Sequence, residues 1–273
     1  MSKDILLIAD AHIGSPAAPF PVGFQLSTGA IYQLNIGQLY LNDCFGHMVN
    51  RLPPLDGVVF VGDIIDGKQI KDGCNNLVEL NMLWQVRAAR EMFKPVLAKL
   101  KPDGFVYVLE GTDYHEGPYG EYSEAFGEWL NAKRSPDGHF AWSWLRRRVE
   151  GMLLDISHHT SYFMRNRSGP LDRELGFAAE NATWMGEPDA IIRAHTHVGY
   201  RAIYDGLQLA VSVPSWELQT RYAAHGKMPN RMISRHIGSV LIRVDARWKA
   251  RNLPPVQSTP LIYPHPKWGG EDM

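Results

Sequence analysis

Carboxylates and imidazoles recur in this sequence just after short apolar runs. Ile5 to Ala9 leads into Asp10-Ala11-His12, Val58 to Val61 into Gly62-Asp63-Ile64-Ile65-Asp66, and Phe105 to Leu109 into Gly111-Thr112-Asp113-Tyr114-His115. Met152 to Ile156 leads into Ser157-His158-His159, and Ala190 to Ala194 into His195-Thr196-His197. Oxygen and imidazole donors with no thiolate among them suit borderline or hard divalent ions such as manganese, iron, cobalt, nickel or zinc. Brought together without cations, so many ionisable groups would repel one another or be costly to desolvate. Six or more ligands exceed what a single tetrahedral zinc takes, which points to two divalent metal ions sharing a carboxylate. A lone Asp-x-His or His-x-His carries little weight, since histidines serve many structural roles. The order of the motifs and their common placement carry the inference.

The elements that would position these groups follow from periodicity. The five apolar runs read as buried strands. Leu34 to Leu52 and Leu77 to Leu100 have helical spacing, with Glu121 to Ala132 and Leu171 to Met185 as shorter helices, the last with Pro170 near its start. Strands alternating with helices imply crossover units, whose loops converge at the carboxyl edge of the sheet. From Tyr200 the texture changes: Tyr200 to Tyr204 and Leu207 to Val213 flank Asp205-Gly206, a hairpin signal, and Ile237 to Val244 reads as a further strand. The expected fold class is therefore α/β with added antiparallel strands (α+β), in two sheets flanked by helices. Two irregular loops are expected at Gly14 to Gln33 and Val213 to Arg235, and a proline-rich tail after Asn252 is expected to lie extended on the surface. No linker divides residues 1–273, so a single domain is expected, with a motif core over 5–213 and a C-terminal strand and tail over 237–273.

The composition, 45% apolar with 28 basic and 29 acidic residues among 273, excludes disordered and fibrous classes. No apolar run approaches the roughly 20 residues of a membrane span, and the opening stretch is unlike a signal peptide, so a cytoplasmic protein without a membrane partner is expected. Cys44 and Cys74 lack metal-finger spacing and are expected to be small buried residues. Residues 221–251 carry eight basic residues and one acid, a net +7 against −8 for the remainder. That stretch, with Tyr222 and Trp248, and the run Arg146-Arg147-Arg148 beside Trp142 and Trp144, is the basic and aromatic mixture that single-stranded nucleic acid favours. Charges facing water and tryptophans facing a core are the competing explanation.

The ordered series Asp10-Ala11-His12, Gly62-Asp63-Ile64-Ile65-Asp66, Gly111 to Glu116, His158 and Ala194-His195-Thr196-His197 resembles the calcineurin-like metallophosphoesterases. Gly111-Thr112-x-x-His115 and Pro214-Ser215-Trp216 look most like the phage and bacterial DNA-repair-exonuclease-like members. The resemblance implies a two-sheet β-sandwich flanked by helices. It implies that Asp10, His12 and His197 hold one metal, His158 and His195 a second, that Asp63 bridges both, and that Asp66 lies just outside the ligands. It also implies His115 as the catalytic imidazole near the scissile phosphate. Thr112 stands where the family has an Asn ligand, a vacancy that Thr112, Asp113 or His115 could fill, and Ala194 stands where Gly is usual. His158 is preferred to His159 because it shares strand parity with Leu154 and Ile156. The implied activity is hydrolysis of phosphodiester bonds by metal-bound hydroxide, with manganese the foremost ion and zinc, iron, nickel or cobalt as alternatives. The implied substrate is DNA, RNA or a nucleotide. A small-molecule phosphomonoesterase or cyclic-nucleotide phosphodiesterase is the runner-up. A non-catalytic scaffold is less favoured because the metal-binding histidines are retained.

Overall fold

The computed structural model describes residues 2–70, 73–160, 169–197, 199–219 and 236–266. Two sheets form its centre. The first has six strands: β1 (Lys3–Ile8), β2 (Leu55–Val61), β3 (Leu100–Leu109), β4 (Ala141–Trp142), β10 (His236–Val244) and β11 (Val256–Pro264), in the order β11-β10-β1-β2-β3-β4. The second has five, β5 (Leu145–Val149), β6 (Met152–Ile156), β7 (Ala190–Arg193), β8 (Arg201–Asp205) and β9 (Gln208–Ser212), in the order β5-β6-β7-β9-β8. β1, β2 and β3 run parallel, as do β6, β7 and β9. Their carboxyl ends therefore point the same way within each sheet. The expected α/β class and two-sheet architecture are what the chain adopts.

Strand alternation assigns each apolar side chain to a layer. Ile5, Leu7, Val59, Val61, Ile156 and Ile192 fill the space between the sheets. Leu6, Ile8, Val58 and Phe60 face the other way, onto the helices α1 (Ile36–Arg51), α2 (Met82–Leu97) and α4 (Glu121–Trp129), α3 being the single turn Asp113–Glu116. On the far side of the second sheet, Ile191 and Ala210 pack against Leu171 and Leu175 of α5 (Gly169–Glu180).

Local signals explain where the helices start. Asn35 and Gln38 form a reciprocal capping box at α1. Asn81 caps α2 by accepting from the Trp84 amide, so that helix starts at Met82 and not near Leu77. It ends at Leu97, and Leu100 already belongs to β3. The expected helix from Leu171 to Met185 breaks at Asn181 into α5 and the short α6 (Ala182–Met185).

Two expectations are corrected. The tail after Asn252 is not merely draped: Val256 to Pro264 pairs antiparallel with His236 to Val244 over nine residues, despite Pro260 and Pro264, because an edge strand can leave one row of amides unused. Cys74 is exposed, while Cys44 is buried as expected. The arginine run forms part of β5, paired with β6. Of the basic segment, residues 220–235 lie outside the described residues, including Tyr222 and His225. Of the cations that follow, Arg243 is paired with Asp4, Arg247 with Asp245 and Lys249 with Asp189.

Trp216 joins core to strand end. It is fully buried, packs edge-on to Phe45 with ring centres 5.3 Å apart, and its indole N–H donates to Ser239 Oγ at 2.9 Å. Its backbone amide donates to the Asp10 carbonyl at 3.1 Å. Trp216→Ala should lower stability by about 3–5 kcal/mol, read as a lower denaturant midpoint at unchanged slope.

Candidate metal centre

The segments leaving β1 and β2 stay hydrogen-bonded beyond the strands. Asp10 N donates to Gly62 O at 3.0 Å, His12 N to Asp63 O at 3.1 Å and Ile13 N to Ile64 O at 2.9 Å. Asp10, His12, Asp63, His195 and His197 have φ of +47°, +46°, +48°, +71° and +49°, the left-handed region that side chains with a Cβ seldom occupy. Such conformations cost of order 1–3 kcal/mol each and persist where surrounding bonds over-determine them. At Asp10 the restraint is visible, since both Ser215 Oγ and Trp216 N donate to its carbonyl, at 2.8 and 3.1 Å. The Pro214-Ser215-Trp216 stretch is thus a clamp on the first motif.

Two glycines allow the close approach. A Cβ on Gly62, where φ is +76°, would lie 2.6 Å from the His158 ring, and one on Gly111 would lie 2.2 Å from Asp63 N and 2.8 Å from Glu116 Oε2. Glu116 ties the second and third motif loops together by accepting from the Ile64 and Gly111 amides, each at 2.6 Å, and from the Ser123 hydroxyl.

All seven side chains expected from the sequence meet here. Asp10, His12 and His197 bring one ligand atom each within 4.8 Å of one another, as do Asp10, Asp63 and His158, and His12, Asp63 and His115. Asp10 Oδ1 is 3.1 Å from His197 Nε2 and 4.0 Å from His158 Nε2; Asp63 Oδ2 is 3.1 Å from His158 Nε2. Asp10 therefore stands between His158, just beyond β6, and His197 of the last motif, with Asp63 against His158. Asp10, His12, Asp63 and His158 are buried, His115 and His197 are partly exposed, and His195 is exposed, so the cluster has a floor and an open rim.

The arrangement fits divalent cations. His158 Nδ1–H donates to the Val61 carbonyl at 2.7 Å, which fixes the ring with Nε2 turned toward the cluster, 3.1 Å from Asp63 Oδ2. His12 Nδ1 is buried without a hydrogen-bond partner, 3.3 Å from Asp66 Oδ1. Burial holds His12 well below the usual histidine range, helped by His115 and His197. Burial alone would raise Asp63, but His158, His115 and His12 outweigh it and hold that carboxyl well below its ordinary value. Neutral imidazole at His12 and ionised carboxylate at Asp63 are the states in which these groups bind metals, whereas a cation would displace the protons that His158 and His197 hold.

Asp66 stands beside His12, its Oδ1 3.3 Å from Nδ1. The Thr112 amide and hydroxyl both donate to Asp63 Oδ1, at 2.7 and 3.0 Å, so Thr112 orients that carboxylate. Asp113 is exposed and belongs to none of the ligand groups among the described residues, whereas His115 stands 4.4 Å from the His12 ring centre to centre. The parity argument that separates His158 from His159 holds only inside a strand: β6 ends at Ile156, so the two no longer point to opposite faces, and both stand about 5.1 Å from His195.

Sequence reading gave Glu116 no role and missed Glu217. Glu217 is buried 3.8 Å from His197 Nδ1 and 4.0 Å from His12 Nε2, and groups with Asp66 and His12 as a set of potential donors. Its only signal was its place just after Pro214-Ser215-Trp216. Gln85 is the third omission: from α2 it bonds the backbone of Gly67 in both directions at 2.9 Å and fixes the loop that holds Asp66.

The aromatic and basic mixture divides differently. Trp142 is buried, its indole donating to Lys133 O, so its core explanation holds. Trp144 is exposed, and Arg146 is engaged by Asp155 at 3.2 Å and by the carbonyls of Met185 and Gly186. His47, His139, His236 and His265, which fall in no motif, have partners away from the cluster, Tyr263, Glu124, Tyr200 and Gln219. No helix among the described residues is long and apolar enough to cross a membrane.

Without cations the carboxyls set a clear pH dependence. Burial pushes Asp66 and Glu116 up to about 7 and Glu217 up to about 8, so the folded chain holds protons that the unfolded chain has released, and stability falls as pH rises toward those values. His158 and His197 are opposed by burial but drawn up to about 10 and 9, chiefly by Asp63 and Asp10 respectively; their contribution is complete below 6.5 and is lost as pH rises through those values. Chelator-treated protein should therefore show a falling melting temperature from about pH 6.5 to 9. Added zinc or manganese should flatten that fall; parallel curves with and without metal would contradict the cation fit.

Neither a scan of protein families nor a search of curated proteins finds a match. Among solved structures, the chain is similar to TT1561 of Thermus thermophilus at 11% identity and a TM-score of 0.43, covering 96% of this chain and 100% of that one. It is similar to Vps29 of Entamoeba histolytica complexed with zinc, at 12% identity and a TM-score of 0.41, covering 94% and 99%. A purple acid phosphatase from yellow lupin gives 10% identity and a TM-score of 0.42, over 89% of this chain and 49% of that one. At these values the likenesses carry no argument about what this chain binds or does.

Proposed function

We propose that this chain is a phosphoesterase of the calcineurin-like kind with a dinuclear metal centre, acting on phosphodiester bonds of nucleic acid or nucleotides. The observation that carries the reading is the meeting of Asp10, His12, Asp63, His115, His158, His195 and His197 from five separate strand ends in overlapping ligand groups. Asp10, His12 and His197 would hold one ion, His158 and His195 the other, with Asp63 between them. Two such ions supply charge for a phosphoryl group and lower the pKa of water that attacks it in line.

The chain's own residues do the rest. Thr112 donates twice to Asp63 Oδ1 and so holds that carboxylate in one orientation, leaving Oδ2 turned toward His158. His115 Nδ1–H donates to the Asp66 carbonyl at 2.8 Å, which fixes the ring and leaves Nε2 for the substrate. As an imidazolium it would carry a proton on Nε2 and pass it to the leaving oxygen as negative charge develops there. The exposed side of the cluster admits a phosphoester, while the buried floor keeps the ligating atoms away from bulk water.

The reading is tested by hydrolysis of bis-p-nitrophenyl phosphate against p-nitrophenyl phosphate, with manganese or zinc added and with chelator. Preference for the diester, lost with chelator, is expected; preference for the monoester would favour a phosphomonoesterase, and inactivity with every metal would point to a scaffold. Asp63→Ala should abolish activity and release both ions. His115→Ala should lower kcat by about 10²–10⁴ with metal content unchanged, and loss of metal would make His115 a ligand instead.

A further inference from the structure

The rim of the cluster holds an imidazole that the ligand set above leaves unused. His159 is exposed, and its ring centre lies 5.2 Å from that of His158 and 5.1 Å from that of His195, the two others being 5.1 Å apart. The three rings form a nearly equilateral triangle, with one nitrogen of each within 4.8 Å of the others.

This grouping has a backbone cause. Beyond Ile156 the chain leaves β6: Ser157 N donates to Ile192 O at 3.2 Å and Ala194 N donates to His158 O at 3.1 Å, so the turn stays fastened to the end of β7. The Ser157 hydroxyl donates to the His159 carbonyl at 3.1 Å and tightens the turn. Consecutive histidines can then face the same neighbour, which an extended strand would forbid. Asp113 is exposed and lies outside every ligand group among the described residues.

We propose that His159 is a protein ligand of the second metal position, completing with His158, His195 and Asp63 a set of three imidazoles and one carboxylate. The inference rests on the dinuclear reading. Four protein donors of this kind suit tetrahedral zinc or cobalt, and the preponderance of imidazole over oxygen disfavours manganese at that position. The two positions would then differ in metal preference.

The test uses the intact chain stripped with chelator and titrated with zinc or cobalt, with bound metal counted by plasma mass spectrometry. The unaltered protein should take up two equivalents. His159→Ala should keep one and bind the other about tenfold or more weakly. His159→Cys gives a readout independent of activity: its cobalt form should show a thiolate-to-cobalt charge-transfer band that the unaltered protein lacks. Two equivalents bound with unchanged affinity by His159→Ala, or two equivalents of cobalt bound by His159→Cys without that band, would overturn the assignment of His159 alone. Fewer than two equivalents in the unaltered protein would overturn the dinuclear reading with it.

Discussion

The rest of the structure is arranged around one buried charge. Asp63 sits almost wholly out of solvent, and burial by itself would neutralise it. The imidazoles of His158, His115 and His12 keep it ionised, and two donors from Thr112 fix its orientation. Each of these partners depends on a further contact: Thr112 on the absence of a side chain at Gly111, His158 on the Val61 carbonyl, His115 on the Asp66 carbonyl. A carboxylate in that setting is stable only while every neighbour is held in place, and this accounts for the density of buried polar contacts behind it.

The scaffold supplies that placement through two stacked sheets whose parallel strands end on the same side. Alternating side chains bury Ile5, Leu7, Val59 and Val61 between the sheets, so the ends of β1 and β2 cannot slide without moving the core. The left-handed backbone at five of the ligand candidates stores strain that the core and the Ser215–Trp216 clamp restrain. Precision at the cluster is therefore a property of the interior as much as of the loops.

Much of this was legible in the sequence because the relevant physics is local. Apolar runs of strand length revealed β1, β2, β6 and β7, and the groups after them revealed the cluster. Where an outcome depended on distant partners, local reading failed. Whether 256–264 was a tail or a strand depended on an open edge of β10, and whether Trp142 faced nucleic acid or a core depended on the second sheet. Glu116 and Glu217 sit in no periodic pattern, and their roles exist only once three loops have met. The nearness of His159 to His195 was hidden because alternation was carried past the last residue of β6.

The pairing of β1 has a consequence for how the chain comes to be folded. Lys3 to Leu7 pair with Val240 to Val244 on one side and Ile5 to Ile8 with Gly57 to Phe60 on the other. During synthesis the first motif can dock on β2 early, yet its other edge waits for a partner more than 230 residues downstream. Contacts of such sequence separation are slow to form, and an unpaired apolar strand edge invites association with other chains meanwhile. The strand that delivers Asp10 and His12 thus waits with one edge open while most of the described fold is made, and nascent chains are exposed to misassembly in that interval.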